Sequence, residues 1–270
     1  MKIMYICGID WGWIFQRPQI IAQMLGQDHE VCVVFPRSIT VKDSKLPSDD
    51  NLQFRILKTI PYQEKNNLIG CISRVMSKKV FADIHSFDMV YIGYPMYERY
   101  IPADYKGKIL YDCMDDQERL YPDQKRVERL VKREVALLHR CDGLLVSADK
   151  LSEKMKKMNP ELKPVLVRNG VKIDRIDPPK AGNVKDAYDI CYVGTIAEWF
   201  DYEAVKKSLE KLPNLTYHMV GPAKVTLEHP KIQYTGPKNH EDLPTIIEKM
   251  DCLVMPFCLN DIVTSVDPVK

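Results

Sequence analysis

The densest chemistry in this 270-residue chain lies in Tyr111-Asp-Cys-Met-Asp-Asp-Gln117. A predicted strand over residues 108–111 leads into it, so Asp112, Asp115 and Asp116 stand at a strand's carboxyl end. Carboxylates this close repel one another unless something uses the charge. Ligands of open α/β sheets bind outside the carboxyl ends of strands, which favours a catalytic use for Asp115 and Asp116. Capping of the following helix is the competing use. Asp112 and Asp115 also suggest a metal, but a hard cation wants several oxygen ligands and one short loop is a weak signal.

A second group is Gly8-Ile-Asp-Trp-Gly-Trp-Ile-Phe-Gln-Arg-Pro-Gln19, a loop running from a first strand into a helix. It lacks Gly-x-Gly-x-x-Gly, so a dinucleotide fingerprint is not supported. Trp11, Trp13 and Phe15 either stack on a sugar ring or apolar ligand, or pack under the helix. Arg17, beside Pro18 at the helix start, meets either an anionic ligand or a structural carboxylate. A third group closes successive strands later in the chain: Gly194-Thr195, Gly221-Pro222, Gly236-Pro237 and Pro256-Phe257. One such turn is punctuation. Four at the same end of a sheet form an edge along which a nucleotide would lie.

The elements that must position these groups alternate between strand and helix. Strands are predicted over 2–7, 30–35, 52–57, 88–92, 108–111, 143–146 and 165–167. A helix is predicted over 124–140, where Val127, Leu130, Val131, Glu134, Val135 and Leu138 form one largely apolar face, with Lys and Arg opposite. The polar stretch 171–187, with Pro178, Pro179 and Gly182, reads as a linker. Alternation then restarts with strands over 189–193, 215–220, 232–235 and 251–257, and helices over 202–212 and 243–250. Asp201 precedes the first of these helices as a candidate cap. The expected fold is α/β, with two doubly wound parallel sheets: a first domain over 1–170, the linker, and a second domain over 188–270.

Composition narrows the function. A 45% hydrophobic content suits a globular protein, and a formal net charge of +2 does not mark a nucleic-acid binder. The eight cysteines form no Cys-x-x-Cys pair, which argues for buried thiols in a reducing compartment over a zinc site. No apolar run approaches the roughly 18 to 20 residues of a membrane span. Basic residues 125–133 and 154–157 offer either a solvated helix face or contact with anionic lipid.

Taken in order, Trp13-x-Phe-x-Arg-Pro-Gln19, Tyr111-Asp-Cys-Met-Asp-Asp116, Val167-Arg-Asn-Gly-Val171, Tyr192-Val-Gly-Thr-Ile-x-x-Trp-Phe-Asp201, Val220-Gly-Pro222 and Met255-Pro-Phe257 resemble the bacterial GT-B glycosyltransferases. The nearest group is the teichuronic-acid and capsule-type transferases close to glycosyltransferase family 4. The resemblance implies two Rossmann-like domains facing a cleft, with the nucleotide sugar on the second and the acceptor on the first. It implies a metal-independent enzyme with no cofactor beyond a UDP- or GDP-sugar donor. Gly194, Thr195, Gly221, Pro222, Gly236 and Pro237 would serve the donor's phosphates and base. Ser265, Asp267 and Lys270 would approach the donor sugar or diphosphate. Asp115 or Asp116 would stand where many relatives keep a catalytic His, and Gly12, Trp13 and Arg17 would face phosphate or acceptor.

Two departures stand out. Ile196-Ala-Glu-Trp-Phe-Asp201 lacks the Arg and Lys that many family-4 enzymes present to the diphosphate, and the Glu that follows Pro-Val-Lys in the family is not in the chain. The second domain is therefore expected to be incomplete, by truncation before its end. The expected function is sugar transfer to a cell-envelope glycan or lipid-linked acceptor. The expected location is cytoplasmic, with peripheral contact at the inner face of the membrane. The competing classes are a non-catalytic sugar-nucleotide or glycan-binding module and a nicotinamide-dependent oxidoreductase.

Overall fold

In the computed structural model, the described residues are 1–13, 15–42, 45–64, 66–121, 123–170, 185–260 and 263. They fall into two compact units that meet in the sequence between Gly170 and Val171. Most of the expected linker, 171–184, and the expected donor residues Ser265, Asp267 and Lys270 lie outside the described residues.

The first unit is built on seven parallel strands in the order β3-β2-β1-β4-β5-β6-β7. They are β1 Lys2–Ile6, β2 Glu30–Ser38, β3 Leu52–Thr59, β4 Met89–Ile92, β5 Lys108–Cys113, β6 Gly143–Val146 and β7 Val165–Leu166. Val31, Val33, Val90 and Ile92 on the central strands are almost wholly buried, as strands covered on both faces require. The strand order reverses between β1 and β4, which places a topological switch point at their carboxyl ends.

Helices α1 Arg17–Gly26, α2 Asn67–Met76, α3 Gln117–Leu120, α4 Gln124–Leu138 and α5 Asp149–Met158 connect the strands. Asp123 caps α4 by accepting from the Arg126 N–H at 2.9 Å. Leu130, Leu137 and Leu138 pack its apolar stripe into the core. Glu134 lies on that same inward face, 1% exposed. Its carboxylate accepts from the Tyr111 hydroxyl at 2.5 Å. Burial raises its pKa despite the Tyr111 bond and nearby Lys154.

The second unit holds four parallel strands in the order β10-β9-β8-β11: β8 Tyr188–Val193, β9 Leu215–Val220, β10 Ile232–Gly236 and β11 Cys252–Leu253. Helix α6 Tyr202–Lys211 begins where expected, with Asp201 accepting from the Ala204 N–H at 2.9 Å. Helix α7 Leu243–Ile247 is shorter than its pattern suggests. The final strand is shorter too. Cys252 and Leu253 pair with β8 and the Val254 N–H still donates to Cys191; the chain then turns so that Phe257 bridges Phe200 and packs 5.8 Å from Tyr192. Phe257 therefore builds the core here.

Glu134 makes stability pH-dependent in a defined sense. Its folded pKa lies above its unfolded one, so its contribution is complete below the ordinary carboxylate range and is lost as pH rises through the folded value. Glu134→Gln keeps a partner for Tyr111 and removes the ionisation. Urea denaturation should show the variant losing less stability than the parent as pH rises above the ordinary carboxylate range. Identical pH slopes would exclude this role.

Candidate active site

The site in the first unit rests on a buried ion pair. Arg17 opens α1, and Asp112 is the next-to-last residue of β5 and has no exposed surface. The guanidinium grips the carboxylate with two bonds, Nε to Oδ2 at 2.9 Å and Nη2 to Oδ1 at 2.7 Å. Such a fork is the strongest geometry for this pair. The third nitrogen, Nη1, donates to the Val167 carbonyl at 2.7 Å and to Asn169 Oδ1 at 3.3 Å, just beyond β7. Tyr91 on β4 adds its hydroxyl to Asp112 Oδ2 at 2.8 Å, and its ring stacks on Tyr5 of β1. Burial works against the Arg17 charge, but hydrogen bonding and attraction from Asp112 outweigh it and raise the pKa. Of the two uses open to Arg17, its guanidinium is engaged in the structural one.

Asp115 and Asp116 are separated by their surroundings. Asp116 is buried and held by Lys154 of α5 at 2.6 Å and by Arg119 at 3.1 Å. It occupies the cap position of α3, yet its side chain makes no capping bond. Asp115 is half-buried, and among the described residues its carboxylate has no hydrogen-bond or ion-pair partner. Burial raises its pKa and the Asp112 charge adds to the rise, against the opposing pull of Arg17. The loop after β5 thus presents one uncommitted carboxylate. Among the described residues, no group of three or more His, Cys, Asp or Glu could hold a metal ion.

The switch point brings Gly8, which opens the aromatic loop, close to Gly93, which the sequence reading did not single out. A Cβ on Gly8 would stand 3.0 Å from Tyr94 Cβ, and one on Gly93 would stand 3.4 Å from Met114 Cε. The chain therefore passes closely between the ends of β1, β4 and β5. The signal was present, since β4 is followed by Gly93-Tyr94-Pro95, the same strand-to-glycine form noted elsewhere.

The aromatic loop divides. Trp11 packs edge-on against Phe54 at 5.1 Å, as in the structural alternative. Trp13 and Phe15 are exposed, at 66% and 44%. The Gly12 N–H donates to Asp10 Oδ1 at 3.0 Å, and Asp10 is paired with Arg37. Beyond β2 and β3 a cavity of ≈ 340 Å³ opens, lined by Ser38, Thr59, Tyr62, Glu64, Tyr97 and Arg126 among others. Arg126 pairs with Glu64 at 2.6 Å and lies over the Tyr121 ring at 3.5 Å. Tyr62 has a positive φ of 62°, a costly conformation for a bulky side chain, and is 71% exposed.

In the second unit the three expected glycines all have positive φ: Gly194 at 145°, Gly221 at 140° and Gly236 at 69°. A Cβ on Gly221 would lie 2.1 Å from the Gly194 carbonyl oxygen, so two strand ends press backbone on backbone. The Gly194 N–H donates to Val220 and the Gly221 N–H to Gly236. Those two donors extend the sheet. Ile196 and Ala223 then form a parallel bridge beyond it. Pro222 and Pro237 are exposed at this edge, and Thr195 is half-buried.

Comparison with solved structures decides the fold. A sucrose-phosphate synthase from Thermosynechococcus elongatus superposes with a TM-score of 0.70 over 96% of this chain and 77% of its own, at 13% identity. The chain has a GT-B fold. An E. coli structure described as trehalose-6-phosphate bound with UDP-2-fluoro glucose matches this GT-B chain at a TM-score of 0.63 and 11% identity, over 98% of it and 81% of the other. WaaG, a glycosyltransferase involved in lipopolysaccharide biosynthesis, matches at 0.60 and 13%, over 94% and 75%. In sequence, the chain is 23% identical over 202 residues to TuaH of Bacillus subtilis, a protein assigned as a teichuronic acid biosynthesis glycosyltransferase. That stretch is 66% of this chain and 50% of TuaH, so the match spans half the length of the curated relative. No protein-family profile matches the chain.

Two measurements check this geometry. Replacing Asp112 with Ala leaves Arg17 buried without its partner, and should cost about 3–5 kcal/mol in chemical denaturation. The double variant Asp112→Leu, Arg17→Met should recover much of that loss. Gly221→Ala drives a methyl into the Gly194 carbonyl and should destabilise the second unit by more than about 3 kcal/mol. Hydrogen exchange should localise that loss to β8, β9 and β10.

Proposed function

We propose that this chain carries out sugar transfer from a UDP- or GDP-sugar to a cell-envelope glycan or lipid-linked acceptor, without a metal. The observation that carries the reading is Asp115, an uncommitted, half-buried carboxylate at the carboxyl end of β5 in a GT-B fold. The fold alone does not specify a reaction, so the weight falls on this residue. Structures with UDP or a UDP-sugar bound among the similar proteins support the choice of donor. The assignment of TuaH to teichuronic acid biosynthesis supports an envelope acceptor.

In this reading the acceptor hydroxyl oxygen bonds to the anomeric carbon. The bond from that carbon to the diphosphate breaks, and the diphosphate leaves with the electron pair. The hydroxyl proton passes to Asp115. A carboxylate whose pKa is raised by burial is a better proton acceptor than an ordinary one. Asp112 positions the site through Arg17, and Asp116 anchors the loop through Lys154. Because Asp112 and Asp116 are both already paired with cations, the loop offers a metal little free charge.

The donor belongs on the second unit in this reading, with its phosphates at Gly194 and Thr195. Its base lies beside Gly221, Pro222, Gly236 and Pro237. Ser265, Asp267 and Lys270 remain proposed contacts to the donor sugar or diphosphate. The acceptor sugar belongs in the cavity beyond β2 and β3, with Tyr62 stacking on its ring. Gly12 and Trp13 extend that acceptor side. Arg17 serves ligand binding by holding the frame in place.

The two aspartates separate the roles. With a panel of UDP- and GDP-sugars, Asp115→Asn should lower kcat by roughly 10²–10⁴-fold at an unchanged melting temperature. Asp116→Asn should lower the melting temperature, because Lys154 and Arg119 lose a charge partner. Tyr62→Ala should raise KM for acceptor about tenfold and leave kcat in place. Chelator should not slow transfer. Parent-level transfer by Asp115→Asn would remove that residue from the chemistry. Nucleotide-sugar binding with no transfer to any acceptor would leave a binding module.

A further inference from the structure

Helix α2 is turned inside out. Its inward face carries Gly70, Ser73 and Ser77, all buried. Its outward face carries Leu68, Ile72, Val75 and Met76, exposed by 71%, 47%, 62% and 49%. Those four fall on one helical stripe. A surface helix ordinarily has the opposite arrangement, with its apolar stripe on the core.

Local bonds set this orientation. Ser73 Oγ donates to the side chain of buried Gln63, and Ser77 Oγ donates to the Ser73 carbonyl at 2.7 Å. A Cβ on Gly70 would come within 2.9 Å of the Gln63 carbonyl, so the helix lies too close there for any larger residue. Rotating α2 to bury its apolar side would break these bonds and force large side chains into that gap.

The charge beside the stripe is of one sign. Residues 65–79 include Lys65, Arg74, Lys78 and Lys79 and no Asp or Glu. Arg74, Lys78 and Lys79 are exposed, and have no ion-pair partner among the described residues. On α4 and α5 the basic residues are mixed with carboxylates, and several are paired. Arg126 pairs with Glu64, Arg133 with Glu98, and Lys154 with Asp116 and Glu118.

We propose that α2 docks the first unit onto an anionic lipid surface. Leu68, Ile72, Val75 and Met76 enter the boundary between headgroups and acyl chains, and Arg74, Lys78 and Lys79 meet the lipid phosphates. Charge decides against a second copy of this chain. A two-fold contact through α2 would set each copy's cations near the other's with no carboxylate of 65–79 to offset them. The helix lies on the surface, since among the described residues no helix is long and apolar enough to cross a membrane.

Co-sedimentation of the 270-residue chain with lipid vesicles tests this without any donor or acceptor, and so independently of sugar transfer. Binding is expected to vesicles containing phosphatidylglycerol and not to phosphatidylcholine alone, and should weaken as salt is raised. Ile72→Asp with Val75→Asp, and separately Arg74→Glu with Lys78→Glu, should each reduce partitioning at least tenfold. Both pairs change outward-facing side chains, so circular dichroism and melting should match the parent. No binding to anionic vesicles at low salt would overturn the proposal. Equal binding by the Ile72→Asp, Val75→Asp variant would do the same. A dimer that this variant dissociates would make the face a self-interface instead.

Discussion

A carboxylate with no solvent access is tolerable only beside a fixed positive charge, and this requirement governs the first unit. Asp112 sits inside a parallel sheet, where an unpaired charge would be too costly to keep. Arg17 meets it from the start of α1, and the same guanidinium reaches the backbone beyond β7. Tyr91 closes the third side from β4. One charge pair therefore sets the positions of four elements that are far apart in sequence. It also sets the electrostatics of the loop that follows. Burial raises the pKa of Asp115; the charge of Asp112 adds to that rise and Arg17 opposes it.

Most of the framework was legible because each strand is an apolar run closed by a turn residue. The starts of β2, β5, β6 and β9 coincide with their patterns, and Asp201 caps α6 as its position suggests. Helix α2 escaped notice for a physical reason. Amphipathic patterns are read on the premise that the apolar face points inward, and here the small and polar residues do. The last strand was read too long because apolar 254–257 resembles a strand continuing. Phe257 instead folds back onto Tyr192 and Phe200.

The site was legible in type and not in partnership. From residue type alone, Arg17 could meet either an anionic ligand or a structural carboxylate. Asp112 as its partner, 95 residues away, could not be seen in the local pattern. Asp115 and Asp116 are neighbours of one kind in the sequence. Lys154, on α5, neutralises Asp116 and leaves Asp115. The strand-end glycines were legible individually, because each stands where an apolar run must turn. Their mutual contact depends on two loops meeting in space.

That contact has a thermodynamic consequence for whatever binds the second unit. Through the bonds from Ile196 to Pro222 and from Lys224 back to Ile196, the two loops continue the sheet past its last regular strand pair. A free loop must surrender roughly 1–2 kcal/mol of backbone entropy for each residue that a ligand immobilises. Residues 194–196 and 221–224 have already given that up during folding. Their carbonyls and remaining N–H groups hold fixed directions, so a ligand that bound there would draw mainly on contact energy and little on ordering. This lip of the second sheet behaves as a template rather than as a flap.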